Sequence, residues 1–282
     1  MKRIMIGLLL ISTIQIGEAQ TQTILNKSLQ YIDRPYTAHT LEIGNKEQLI
    51  INKSNVDCTT FIEYTLAEVL ADSRGDITEE EYLKKIRYRE GLISGYASRL
   101  HYITEWIEEG VKNKFIEDIS NKYATDSIIT NLSYMSEHPQ YYKHLQTSKE
   151  NLEAIERVEA RLKGKIIHWL PKDKLPIEGL EWIKDGDIIV LTSSIRGLDT
   201  SHMGIAIYQG DKLHLLHASS SKGRVIIEPT PLSTMLKNSR SWSGIRVVRP
   251  LLKGDYNEEE SNNMKLDYED KEQAISTIDN NN

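Results

Sequence analysis

The apolar periodicity changes once along the chain, near Gly164, and that change limits the possible folds more than any other feature. Before it, apolar residues recur at three- and four-residue spacing; beyond Ile166 the pattern is that of strands. Helices are predicted at 22–33, from Cys58 to about Ala71, and at Ile77–Arg89, Ser98–Glu109 and Glu150–Lys163. Thr78 and Glu81 stand three apart, as a helix-starting capping box requires. A short strand is expected at 47–52. Further strands are expected at 187–192, 202–208, 213–218, 224–228 and 244–249, with one helix, Leu232–Lys237, before the last. Helices first and an antiparallel meander afterwards describe an α+β domain rather than a doubly wound sheet. One domain is expected over residues 20–254, with 72–164 as a helical insertion.

The two ends read differently. Lys2 and Arg3 precede an apolar run from Ile4 to Ile16, and Gly17 and Ala19 flank a cleavage site ahead of Gln20. Residues 1–19 are therefore expected to be a cleavable signal peptide, placing the mature chain in the periplasm or outside the cell. The run is shorter than the roughly 20 residues a spanning helix needs, so no transmembrane segment is expected. The formal charge is −6, but residues 255–282 carry nine acids and two bases, which leaves the middle of the chain neutral. That acidic, Asn-rich tail has too little apolar content to pack and is expected to be disordered. A neutral body offers no electrostatic footprint for nucleic acid. No cofactor or metal is expected, and the protein is taken as a monomer. His214 and His217 are three apart on a strand, which turns them to opposite faces and argues against a shared ion.

The sequence holds one cysteine, Cys58, directly after Asp57 at a predicted helix start. An exported chain with one cysteine has no internal disulfide to make, so the thiol is an intermolecular partner, a reactive sulfur or a buried core filler. A helix start favours the thiolate and points to a nucleophile with a lowered pKa.

Two of the eight histidines supply what a thiol nucleophile lacks. Gln209-Gly210-Asp211-Lys212 reads as a hairpin with Gly210-Asp211 as its two-residue turn. Pairing Gln209 with Lys212 sets Gly204 across from His217. His202, two residues from Gly204, then shares a face with His217 at roughly 7–8 Å between backbones, within side-chain reach. His214 falls on the opposite face, although a bulge in the turn would exchange the two. One imidazole can take the thiol proton and return it to a leaving amine while the second orients the first. Backbone N–H groups at the helix start can hold an oxyanion. Gly204 and Ala206, on the face of His202, are expected to leave room for the end of a packed helix. Met203, Ile205 and Ile207 are expected in the core.

The motifs resemble a known family. Asn55-Val56-Asp57-Cys58-Thr59-Thr60-Phe61, Asp185-Gly186-Asp187-Ile188-Ile189, Ser201-His202-Met203-Gly204 and Leu216-His217-Ala218-Ser219 are similar to the NlpC-type superfamily of bacterial cell-wall cysteine peptidases. Arg34-Pro35-Tyr36, Thr40-Leu41-Glu42 and Tyr96 to Tyr102 with Glu105-Trp106-Ile107 resemble, within it, the N-acetylmuramoyl-L-alanine amidase-like family, over roughly residues 25–250. The resemblance implies a papain-like core whose N-terminal helix carries the nucleophile and packs on the antiparallel meander. It also implies hydrolysis of the amide between N-acetylmuramic acid and L-alanine in small peptidoglycan fragments. By position, Cys58 would be the nucleophile, His202 the base and acid, and His217 the orienting third member. Tyr36, Asp57, Thr59 and Ser201 would line the substrate site. Arg99 and His101 either meet the carboxylates of the stem peptide or brace the insertion against the core. Trp106 and Trp182 are expected in the core rather than under a sugar. The alternatives are a γ-D-glutamyl-diamino acid endopeptidase, a non-catalytic peptidoglycan-binding protein of the same fold, and an acyltransferase, since the same acyl-enzyme can pass to an amine.

Overall fold

The structure, a computed structural model, describes residues 23–255. The expected signal peptide, and the acidic tail beyond Asp255, lie outside the described residues. In chain order, α1 (23–29) is followed by α2 (Cys58–Arg74), α3 (Glu79–Arg87) and α4 (Ile103–Lys112). Next come β1 (Ile116–Asp118), α5 (Ile119–Tyr123), β2 (Asp126–Ile129), α6 (Tyr134–Glu137), α7 (Lys143–Gln146) and α8 (Lys149–Leu162). The rest is β3 (Ile166–Pro171), β4 (Ile188–Ser193), β5 (Thr200–Gln209), β6 (Lys212–Ser219), β7 (Arg224–Ile227), α9 (Leu232–Asn238) and β8 (Trp242–Pro250). The fold is α+β with an antiparallel sheet. Strands β4 to β7 form the expected meander, and β8 returns to pair with the outer side of β4, continuing the order β2-β3-β8-β4-β5-β6-β7.

Local chemistry sets the helix ends. Asp57 Oδ1 accepts from the Thr60 N–H at 2.8 Å while the Asp57 N–H donates to Thr60 Oγ1 at 2.9 Å, so α2 begins with a reciprocal box. It ends at Gly75, whose φ of 66° suits the left-handed cap and whose N–H reaches the Ala71 carbonyl. The predicted Thr78–Glu81 box starts α3. Segment 47–52, by contrast, is not a strand. Its backbone groups are met by side chains instead: Arg87 Nη1 donates to the Ile50 carbonyl at 2.6 Å, and the Asn52 N–H donates to Tyr64 Oη at 2.9 Å. The helix expected at Ser98–Glu109 starts only at Ile103, because Arg99 is extended and bridges Tyr88. Segment 72–164 is mostly helical but also contributes β1, on β8, and β2, on β3.

Three apolar clusters hold the layers together. Helix α2 lays Phe61, Ile62 and Leu66 against Met203, Ile205, Ile207 and Leu216. The opposite face of the sheet packs Ala206, Leu215 and Val247 against Leu232 and Leu236 of α9. A third cluster, around Tyr102, Ile155 and Leu162, sits within the helical segment. Helix α2 thus lies on the Met203 face, not on the Gly204 and Ala206 face expected from sequence. Gly204 is small for another reason: a Cβ there would stand 2.8 Å from both the Leu215 side chain and the Leu216 carbonyl. We expect Gly204→Ala to cost about 1–3 kcal/mol by overpacking, measured by denaturant unfolding. A loss within experimental error of zero would show that β5 and β6 separate freely.

Candidate active site

The site forms where the start of α2 meets the start of β5. Cys58 is the first residue of α2, and the Met203 backbone is one of the groups that act on its sulfur, so the thiol lies near the start of β5. Thr59 Oγ1 lies 4.0 Å from the sulfur. Tyr36 is held nearby by backbone bonds to Gly223 and a bridge to Val56. Burial, then the proximity of Cys58 and Asp57, pushes its phenol up to about 12.

The β5–β6 register is the one deduced from the turn: Gln209 faces Lys212 and Ile205 faces Leu216. His202 and His217 therefore meet, with Nε2 of the first 2.6 Å from Nδ1 of the second and their rings nearly perpendicular. His214 points to the other face, where Nδ1 lies 2.9 Å from the Glu228 carbonyl. No bulge exchanges the two.

The protonation states differ from the sequence expectation of a lowered thiol pKa. Burial, reinforced by the Asp57 carboxylate, pushes Cys58 up to about 11, and the bonds from Thr59 and the Met203 backbone only partly oppose it. Desolvation of a thiolate outweighs the favourable field of the helix start. Burial, with His217 beside it, pushes His202 down to about 3. His217 is also lowered by burial, against a smaller opposing pull from Glu228. At neutral pH the free protein holds a neutral Cys58 thiol and neutral His202 and His217 imidazoles.

Two groups at the site escaped the sequence reading. Trp242, from β8, stacks over His202 at 6.1 Å and donates its indole N–H to Ser201 Oγ at 3.0 Å. Ser201 thus holds the ring that covers His202. Glu228, just past β7, lies 3.7 Å from His217 Nε2. Both line a cavity of about 420 Å³ with His202, His217, Ser219, Thr230 and Asn238. Neither was legible because both depend on which strands neighbour which across non-local connections. Trp106 is core, as expected, and Trp182 stacks on Tyr123.

Arg99 and His101 are placed differently from the thiol group. Arg99 is buried, with Nη2 2.6 Å from Glu42 Oε1 and Nε 3.2 Å from Glu47 Oε1. His101 Nε2 lies 2.9 Å from the Tyr96 carbonyl, and its ring packs against Tyr96. These contacts fit bracing of the 37–50 segment by the helical segment. Asp57 spends one oxygen on the cap of α2. Among the described residues, no group of three or more His, Cys, Asp or Glu could hold a metal, and no helix is long and apolar enough to cross a membrane.

Fold and site together place the chain among α+β enzymes. More narrowly, it belongs to the N-acetylmuramoyl-L-alanine amidase-like family, whose model matches residues 26–245. It is similar to the solved structure of an N-acetylmuramoyl-L-alanine amidase from Bacteroides uniformis ATCC 8492, with 48% identity over 83% of this chain and 99% of that one, at a TM-score of 0.81. A Bacteroides fragilis protein provisionally named a xylanase is 51% identical over 80% of this chain and 99% of its own, at a TM-score of 0.77. A Legionella pneumophila protein, 22% identical over 86% of this chain and 92% of its own at a TM-score of 0.60, shares the fold alone. No protein of curated function matches.

Two measurements check this account. Cys58 should react with a neutral alkylating reagent slowly at pH 7 and progressively faster through pH 10; a rate that levels off below pH 8 would show a lowered thiol pKa. Arg99→Met should cost about 3–5 kcal/mol of stability, as expected for stranding one side of a buried ion pair. A raised KM with unchanged unfolding would instead assign Arg99 to substrate.

Proposed function

We propose that the protein is a cysteine-dependent hydrolase that cleaves the amide between N-acetylmuramic acid and L-alanine in peptidoglycan fragments. On this reading the core is that of the NlpC-type, papain-like superfamily. The observation that carries it is the hydrogen-bonded His202–His217 pair, with His202 on the strand whose start meets the helix that begins at Cys58, in a chain of an amidase-like family.

The chemistry follows from a neutral resting pair. His202 takes the Cys58 proton as the sulfur attacks the lactyl carbonyl, forming a tetrahedral oxyanion next to the first amides of α2, which have no intrahelical acceptor. Collapse breaks the C–N bond; His202 returns the proton to the L-alanine nitrogen, and the free peptide leaves. Water, deprotonated by the same imidazole, then hydrolyses the thioester and restores the thiol. His217 orients the imidazole and shares its charge. Because the thiolate is formed only at the moment of attack, a half-buried thiol near pKa 11 is compatible with turnover.

Tyr36 and Thr59 line the approach to the sulfur, and the long segment 72–164 narrows access and favours small fragments. An export leader at 1–19 would deliver the enzyme to the compartment of its substrate. The xylanase named among the relatives suits this site poorly. Glycoside hydrolysis generally uses two carboxyl groups flanking the bond, whereas this site offers a thiol, two imidazoles and Glu228.

Purified disaccharide-peptides incubated with the protein should yield disaccharide and intact stem peptide by mass spectrometry, and Cys58→Ala should abolish both. A shortened stem still attached to sugar would make the enzyme a γ-D-glutamyl endopeptidase. No cleavage by folded protein would return it to the binding proteins.

A further inference from the structure

The hydrogen-bonded pair of His202 and His217 has a further polar neighbour beyond the second histidine. His217 is 4% exposed, and its Nε2 is buried without a hydrogen-bond partner. Glu228 Oε2 lies 3.7 Å from it. Glu228 is aimed there by its backbone and its other oxygen. Its N–H donates to the Leu215 carbonyl at 2.8 Å, two residues from His217 on the neighbouring strand. Its Oε1 accepts from the Thr230 N–H at 3.3 Å, leaving Oε2 for the imidazole. A shift of about 1 Å would bring Oε2 to normal hydrogen-bond distance.

We propose that Glu228 is a positioning residue for the reaction proposed above: it accepts the Nε2 proton of His217 and thereby fixes which nitrogen of His202 carries the lone pair. With Nε2 protonated, His217 Nδ1 carries a lone pair and accepts from His202 Nε2–H. The lone pair of His202 is then on Nδ1, the nitrogen left to receive the thiol proton. Reversing the His217 tautomer would set two N–H groups against each other across the 2.6 Å contact, or force the lone pair of His202 onto the wrong nitrogen. When His202 becomes an imidazolium, the carboxylate also lies one ring away from the new charge. The titratable groups that act on the pair are Glu228, on His217, and His217 itself, on His202; Cys58, Asp57 and Tyr36 act on one another around the start of α2. His214 bonds only the Glu228 carbonyl, from the other face. Asn238 and Trp242 are neutral.

Nitrogen-15 NMR of the histidine-labelled, unmutated full chain tests this without relying on turnover. The His217 signals should report protonation at Nε2, and protonation at Nδ1 overturns the proposal. The second test is the kinetics of Glu228→Gln. A drop in kcat of about 10- to 100-fold is expected, part of the 100- to 10,000-fold typical of general acid–base catalysis, with KM within about twofold. The acid limb of kcat/KM should move to lower pH, because His202 loses a charge that favours its protonated form, and Glu228→Asp should recover part of the rate. A folded Glu228→Gln with unchanged kcat and acid limb overturns the proposal. If the variant does not fold, the tautomer in the unmutated protein decides. Absence of muropeptide cleavage by the unmutated chain would remove the proposed reaction, while the NMR result would still answer for Glu228.

Discussion

The register of the β5–β6 hairpin governs the rest of the site. Side chains alternate across a strand, so a slip of one residue would send His217 to the face that His214 now occupies and leave His202 without a partner. The two-residue turn at Gly210, with φ of 63°, and the close fit of Gly204 against Leu215 and Leu216 hold the strands in the observed pairing. The 2.6 Å contact between the imidazoles is thus a product of backbone geometry before it is one of side-chain chemistry. The same alternation separates labour between the faces. Met203 and Ile205 anchor the helix that bears the thiol, while His202 and His217 open onto the opposite, polar cavity. Cys58 belongs to the helix packed on the Met203 face, so the thiol and His202 do not share a face of β5.

Burial, rather than the field of the helix start, sets the resting state of the site. Removing water raises the free energy of both a thiolate and an imidazolium, so each group is neutral at pH 7. Asp57 adds to this, since the carboxylate that caps α2 lies next to the sulfur. The residue that lets the helix begin at Cys58 therefore also suppresses premature ionisation. On the proposed mechanism such a site keeps its reactivity latent until a carbonyl is present to accept the electrons and His202 is there to take the proton.

Much of this was legible in the sequence because it is local. The Thr78–Glu81 box, the Gly210-Asp211 turn and the strand alternation around His202 and His217 each depend on residues within a few positions of one another. The Cys58 helix start and the His202–His217 pairing were read from such signals, and the motifs around them carried the family. What the sequence hid is non-local. Glu228 reaches His217 only through the pairing of β6 with β7 across the loop Ser220–Gly223, whose length does not fix a register. Trp242 reaches His202 only because β8 crosses back to β4. The strand expected at 47–52 failed for a related reason: Arg87 and Tyr64 satisfy its backbone from a distance, so apolar alternation there has no ladder to join.

The central claim, that Cys58 forms an acyl-enzyme with the sugar half of the substrate, is tested most directly by intact-protein mass spectrometry of an acid-quenched reaction with a purified disaccharide-peptide, followed by mapping of the modified residue. The account predicts a transient adduct on Cys58 with the mass of the disaccharide's lactyl acyl group and without the peptide. An adduct that contains stem-peptide residues, or continued turnover with Cys58 replaced by alanine, would contradict it.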